Sequence, residues 1–294
     1  MKVLFIVNPV AGKTKAKKLI PVIEEYIGHN IYIDYEIVET ERAGQATEIT
    51  IQGIEKGYDT IVAVGGDGTI NEVANGIISR KKGTLGIIPG GTGNDLARSL
   101  NIPMDTIQAL SYITNPNVKQ INIGKANDKL FLNVSSIGID ADIVKNTQKI
   151  KKHIKSKFAY TLGLLKTIVS YKIKKFEIKL DNKEIERDAL LVAIGNGSNY
   201  GGGMKICPMA LMDDGYFDVC IIKDVNKIKL LALFPIIFKG RHEEIKKYVE
   251  FYRCKTVKIN FKNSINLNID GEVLKVEDES IFEICDEKLS IICS

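Results

Sequence analysis

Residues 60–76 read TIVAVGGDGTINEVANG, and residues 84–98 read TLGIIPGGTGNDLAR. Each stretch opens on a short apolar strand, turns through glycines and enters a helical pattern. The run Thr60–Val64 suits a strand buried on both faces. Glycines directly after a strand let the backbone take conformations closed to other residues and approach a ligand closely. A helix start leaves several amide hydrogens unpaired and carries a partial positive charge of about half a unit. A strand–glycine–helix junction is therefore suited to phosphate. Thr69 and Glu72 have the spacing of a capping box, which predicts a helix over 70–79. The second stretch repeats the arrangement, with strand Leu85–Ile88, loop Pro89–Asp95 and a helix after it. Two such loops, each holding an aspartate (Asp67 and Asp95), point to a nucleotide's phosphates.

Outward from these loops the pattern alternates. Val3–Val7 reads as a strand, Thr14–Ile27 as a helix, Ile31–Val38 as a strand, Ala43–Lys56 and Thr106–Ile113 as helices. Such alternation implies a mostly parallel sheet covered by helices, with ligands beyond the carboxyl ends of its strands. The turn Asn8-Pro9-Val10-Ala11-Gly12 follows the first strand and faces the same side. Gly12-Lys13-Thr14 is not the end of a Walker A loop, because Val7 stands where that motif needs glycine. After Pro116 the texture changes to short strands at 120–123, 130–134, 177–180, 189–195, 217–222, 256–261, 265–269, 280–284 and 289–292, with helical patterns near 148–171 and 226–248. The expected organisation is α/β plus all-β: a nucleotide-binding domain over 1–120, and a β-sandwich or open barrel over 121–294.

Composition narrows the function classes. Of 294 residues 45% are apolar and 26% charged, the balance of a globular protein. The longest apolar run, Leu230–Phe238, is interrupted by Pro235 and is too short to span a bilayer. The N-terminus reads as a strand rather than a leader, so a cytoplasmic protein is expected. Five scattered cysteines and three histidines have no metal-ligand spacing, which argues against zinc and histidine chemistry. Residues 145–175 contain ten lysines and no acid. They read as a solvated helix face or as a surface for anionic lipid headgroups. The cluster Lys13, Lys15, Lys17 and Lys18 has the same two readings, and nothing resembles a nucleic-acid module.

The segments GGDGTINEVANG (65–76) and GIIPGGTGNDLAR (86–98) resemble the catalytic domain of the diacylglycerol kinase family, which includes sphingosine and ceramide kinases. Asn8-Pro9, Gly12, the Thr40/Gly44/Ala46 spacing, Gly195-Asn196, Gly201–Gly203, Asp214-Gly215 and Asp270-Gly271-Glu272 extend the match over nearly the whole chain, in the manner of the compact bacterial branch. The resemblance implies a Rossmann-like N-terminal domain with a parallel sheet, a C-terminal β-sandwich, and ATP in the cleft of the two. It places ATP against Asn8, Pro9, Val10, Ala11, Gly12, Thr40, Gly66, Asp67, Gly68, Thr69, Ile70, Asn71, Glu72 and the loop Thr92, Gly93, Asn94, Asp95. It implies Mg²⁺ on the nucleotide near Asp67 and Asp95, and a structural Mg²⁺ held by Asp214 and the carbonyls of Leu211 and Tyr216. Gln45 stands where the family often has histidine.

Phosphoryl transfer to a lipid hydroxyl needs a carboxylate to accept the proton. The resemblance favours Glu272, with Asp270 beside it as the second candidate; Gly271 predicts a turn there. The implied reaction converts diacylglycerol to phosphatidic acid at a membrane surface reached through the basic patches. Phosphatidylglycerol, a sphingoid lipid and NAD are the other acceptors, and a non-catalytic lipid or nucleotide sensor is the competing class. NAD kinases share the first glycine loop but carry their Asn-Glu pair on a later segment, whereas Asn71-Glu72 follow at once here. Exposed sandwich edges leave room for a homodimer.

Overall fold

The computed structural model describes residues 1–28, 30–151, 167 and 171–294. The chain forms two compact units, Met1–Asn122 with Asp286–Ser294, and Ile123–Cys285.

In the first unit β1 (Lys2–Val7), β2 (Asp34–Glu39), β3 (Thr60–Gly65) and β4 (Thr84–Pro89) are parallel, in the order β4-β3-β1-β2. Around them lie α1 (Ala11–Thr14, a distorted turn), α2 (Ile20–Gly28), α3 (Gln45–Glu55), α4 (Asp67–Arg80), α5 (Asp95–Ser99) and α6 (Thr106–Thr114). Val3, Phe5 and Val7 pack with Ile23 and Ile27 of α2 and Leu110 and Ile113 of α6. The helix expected over 14–27 is broken: Ala16–Leu19 is a 3-10 turn and α2 begins at Ile20. Pro21, with no amide hydrogen to donate, is tolerated only in a first turn, which sets that start.

The second unit is antiparallel. Its strands are β5 (Val118–Ala126, entering from the first unit), β6 (Lys129–Phe131), β7 (Val134–Gly138), β8 (Lys174–Leu180), β9 (Lys183–Gly195), β10 (Phe217–Lys223), β11 (Val249–Cys254), β12 (Thr256–Phe261), β13 (Ile265–Ile269), β14 (Glu272–Val276) and β15 (Glu279–Ile292). β9 changes partners along its length: its first half pairs with β8, and its second half lies between β7 and β10. That second half, ALLVAIG, is buried on both faces. Val192 and Ile194 join Phe131, Phe176, Phe217 and Phe282 in one core. Leu191 and Ala193 join a second core with Ile143 of α7 (Ile139–Lys151) and Leu230 and Ile237 of α8 (Lys227–Phe238).

Three expectations are corrected. β11 and β14 had no strand assigned to them; each pairs on one side only, and the mixed patterns VEFYRC and EVLKV of such edges give no clean apolar run. The last residues do not stay with the second region, because β15 runs on past Cys285 to set Ile291 beside Leu85 of β4. The helix expected near 148–171 starts earlier, at Ile139. Of the lysine-rich stretch 145–175, residues 152–166 and 168–170 lie outside the described residues. Among the described residues no helix is long and apolar enough to cross a membrane.

Candidate active site

Because β1 to β4 are parallel, their carboxyl ends open on one edge of the first unit. The chain order reverses between β1 and β3, the kind of switch point where such sheets bind ligands. Asn8 ties the loops there together. Its amide donates to Val64 O (3.0 Å), its Nδ2 donates to Thr69 Oγ1 (3.1 Å), and its Oδ1 accepts from the Val10 amide (3.2 Å). Gly12 has φ +57°, and a side chain there would run into the Gly90 carbonyl. The Gly90 amide donates to Gly65 O at 2.8 Å. A Cβ on Gly66 would sit 3.2 Å from Gly91 Cα, so the two phosphate loops touch backbone to backbone. Thr40, at the end of β2, is buried, with its amide donating to Val7 O (2.8 Å).

The helix starts differ from the expected capping box. α4 begins at Asp67 after an extended Gly66, so Thr69 and Glu72 both lie inside it and do not cap it. Glu72 Oε2 instead accepts from the Ala46 amide (3.1 Å), serving α3, whose own N-cap Gly44 has no side chain to offer. Asp67 Oδ1 accepts from the Asp95 and Leu96 amides (2.7 and 3.2 Å) and so caps α5. Asn94, at φ +52°, turns its amide group back onto Gly91 N and O, bracing the loop. Ile70 is buried in the core, and its amide donates to Gly66 O (3.1 Å). Thr92 and Val10 are exposed. A Cβ on Gly93 would lie 2.8 Å from Asp67 Oδ2 and 3.3 Å from Asp95 Oδ2. Two carboxylate oxygens thus flank one glycine at helix-start amides, a donor set suited to a hard divalent ion carrying phosphate.

In the second unit Asp270-Gly271 is a two-residue turn joining β13 to β14, with Ile269 opposite Glu272 and φ values of +46° and +93°. The Asp270 carboxylate accepts from the amides of Leu132 (2.7 Å), Asn133 (3.1 Å) and Val134 (2.9 Å). It is committed to holding the chain. Glu272, at the head of β14, is exposed, and its carboxylate forms no hydrogen bond or ion pair with a described residue. Behind the turn Asn268 Oδ1 accepts from the Gly271 amide (3.0 Å), while its Nδ2 donates to Ser136 Oγ and Asp140 Oδ2 (both 3.2 Å). Ser136 also donates to Asp140. Burial pushes the Asp140 carboxyl up from its ordinary range, against the hydrogen bonds from Ser136 and Asn268. These three residues escaped the sequence reading; their one signal was polar letters inside buried strand patterns, as in VSSIG and INLNI.

Comparison with known proteins meets this geometry. Residues 2–126 match the model of the diacylglycerol kinase catalytic domain, and residues 133–293 that of the YegS C-terminal NAD kinase beta sandwich-like domain. The chain belongs to the diacylglycerol kinase family. It is an ATP-dependent lipid kinase. A diacylglycerol kinase of Staphylococcus saprophyticus is 31% identical over 268 residues, covering 91% of this chain and 87% of that one. The crystal structure of a diacylglycerol kinase from Bacillus anthracis superposes with a TM-score of 0.73 at 27% identity, over 100% of this chain and 97% of that chain. An NAD kinase from Archaeoglobus fulgidus, in complex with ATP, shares the fold at a TM-score of 0.52 and 12% identity, over 99% and 93% of the two chains.

The expected metal loop of this lipid kinase holds a different set of contacts. Asp214 Oδ1 accepts from the Tyr216 amide (2.9 Å), and its other oxygen is ion-paired with Arg253. The Arg253 guanidinium lies 4.9 Å over the Tyr216 ring, and the Leu211 side chain is exposed. Behind them Asp218 is buried, and desolvation raises its carboxyl above the ordinary range despite Arg253 nearby. Among the described residues no three His, Cys, Asp or Glu side chains gather as a metal cage.

Proposed function

We propose that the protein phosphorylates the free hydroxyl of diacylglycerol with ATP, giving phosphatidic acid. The relatives named diacylglycerol kinase support the acceptor, and the observation that supports phosphoryl transfer is that Asp67 Oδ2 and Asp95 Oδ2 both lie beside Gly93, at the starts of α4 and α5. Bound Mg²⁺ supplies the positive charge that offsets the negative charge building on the transferred phosphoryl group. Asp67 and Asp95 would orient that ion, and the loop and helix-start amides of Gly66–Thr69 and Thr92–Asn94 would hold the phosphates. The Asn8–Gly12 turn and Thr40 hold the rest of the nucleotide. Glu272 accepts the proton as the lipid hydroxyl oxygen bonds to the γ-phosphorus. The bond from that phosphorus to the β–γ bridging oxygen breaks, and ADP leaves with the electron pair. Asp270, engaged by three amides, positions the turn that carries Glu272. The working place is the cytoplasmic face of the membrane, where ATP and the lipid are both present.

The test is purified protein with Mg²⁺ and labelled ATP against diacylglycerol, phosphatidylglycerol, a sphingoid base and NAD, with products separated by thin-layer chromatography. Label is expected in phosphatidic acid; label in NAD alone would overturn the reading. Glu272→Gln is expected to lower kcat by on the order of 10²–10⁴-fold with ATP affinity kept. Asp67→Asn should lower kcat as well and weaken the Mg²⁺ dependence. Full activity in both variants sinks the mechanism.

A further inference from the structure

The four large hydrophobic side chains that stand exposed among the described residues of the second unit are Met209 (63%), Leu211 (56%), Phe238 (46%) and Tyr216 (36%). They come from two segments, 209–216 and the end of α8, and the chain just before the first packs beside the end of the second. Gly240, just past α8, abuts the other segment: a Cβ on it would lie 3.1 Å from Pro208 Cβ and 3.4 Å from Lys205 Cβ. Buried His242 places Nε2 3.0 Å from Ile206 O. The Cys207 thiol donates to Asp218 O at 3.1 Å. Beneath the surface Ile206, Cys207 and Ala210 share a core with Ile236 and Ile237. The apolar tips therefore stand on a packed base, and burying them elsewhere within the unit would require that base to come apart.

Cations ring the tips. Lys205, Lys239 and Lys255 are exposed and form no ion pair with a described residue. Lys255 Nζ lies 5.3 Å from the Tyr216 ring centroid, on the same ring as Arg253. Of the nearby acids, Asp214 is neutralised by Arg253 and Glu244 by Arg241 (2.9 Å), which leaves Asp213 and Glu243 exposed. Lys246 and Lys247, also exposed, follow Glu244 on the same segment. Exposed Met, Leu, Phe and Tyr side chains rimmed by unpaired lysines match the two layers of a membrane face, an acyl boundary beneath anionic headgroups.

We propose that this surface seats the enzyme on an anionic phospholipid bilayer, with Met209, Leu211 and Phe238 entering the acyl boundary and Lys205, Lys239 and Lys255 meeting lipid phosphates. The proposal rests on the lipid-kinase reading for its purpose, while the binding itself does not need catalysis. It is tested with the full chain by co-sedimentation on phosphatidylcholine vesicles with and without phosphatidylserine. Met209→Asp with Phe238→Asp is expected to reduce the vesicle partition constant by on the order of tenfold or more on both vesicle types. Lys205→Glu with Lys239→Glu should lower it by about tenfold on the phosphatidylserine vesicles only. Both double variants should keep the parent's activity on short-chain diacylglycerol in detergent micelles and lose it on vesicles. Parent-like sedimentation of both variants overturns the proposal. So does light scattering that shows a dimer dissociated by Met209→Asp with Phe238→Asp while vesicle binding stays intact, since the surface would then join two copies. Loss of micelle activity in the parent itself would instead fell the lipid-kinase reading and leave the sedimentation result standing.

Discussion

The loops of the first unit and the Asp-Gly-Glu turn of the second are built by opposite means. At Gly12, Gly66, Gly90 and Gly91 the absence of side chains lets three backbone segments touch, and two carboxylates of α4 lock the arrangement, Glu72 capping α3 and Asp67 capping α5. At Asp270 the backbone is an ordinary two-residue turn, and side chains do the holding: one carboxylate on three amides, and Asn268 reaching to Ser136 and Asp140. The difference teaches that the phosphate site fails when atoms are added, and the turn fails when atoms are removed.

The largest effect should therefore come from truncating the turn's anchor. Asp270→Ala leaves three amides without their acceptor, each costing roughly 1–3 kcal/mol where water does not reach it. The expected total is about 3–5 kcal/mol, a fall in Tm of about 10 °C or more by thermal unfolding. Asp270→Asn, which keeps one acceptor oxygen, should fall between parent and alanine. If Asp270→Ala unfolds at the parent's temperature yet transfers no phosphate, Asp270 rather than Glu272 is the base. Next comes adding an atom to the loops. A Cβ on Gly91 would run into Gly66 Cα and lie 2.8 Å from Asn94 Oδ1, so Gly91→Ala should part the loops. ATP affinity should drop by about 100-fold, or about 2.7 kcal/mol, in titration calorimetry. Gly68, with no protein atom within 4 Å of its Cβ position, is the comparison: Gly68→Ala leaves the two loops in contact and should cost less affinity than Gly91→Ala. Equal losses at both positions would mean that the glycines serve flexibility and not close approach.

This contrast also explains what was legible in the sequence. The first unit could be read because strand, glycine and helix follow one another within a few residues, and each step has a local physical cause. The second loop and the Asp270-Gly271 turn were legible for the same reason. Asp67 capping α5 from 28 residues away could not be read, since no local pattern pairs a loop acid with a distant helix start. Thr69 and Glu72 misled because their spacing is that of a capping box, while the helix had already begun at Asp67. Asn268, Ser136 and Asp140 are brought together by the pairing of β13 with β7, a contact across about 130 residues that single-strand patterns do not contain. The edge strands β11 and β14 were lost because half-exposed strands dilute the apolar signal.

The smallest effect tests the network behind the turn through its buried acid. Burial raises the Asp140 carboxyl above its ordinary 3.8, with Ser136 and Asn268 opposing. A raised carboxyl holds its proton more tightly in the folded state than in the unfolded one. Its contribution to stability is therefore fully present below 3.8 and is lost as pH rises through the folded value. Asp140→Asn keeps an acceptor for Ser136 and removes the charge, so at pH 7 it should raise Tm, by about 2–4 °C for each kcal/mol relieved. The gain should shrink towards zero as pH falls to 3.8 and below, measured by thermal unfolding across the range. ATP affinity should not change, because no part of this network belongs to the glycine loops. A Tm gain that is flat with pH would show that Asp140 titrates alike in the folded and unfolded chains, so that its hydrogen bonds and not its charge set the cost.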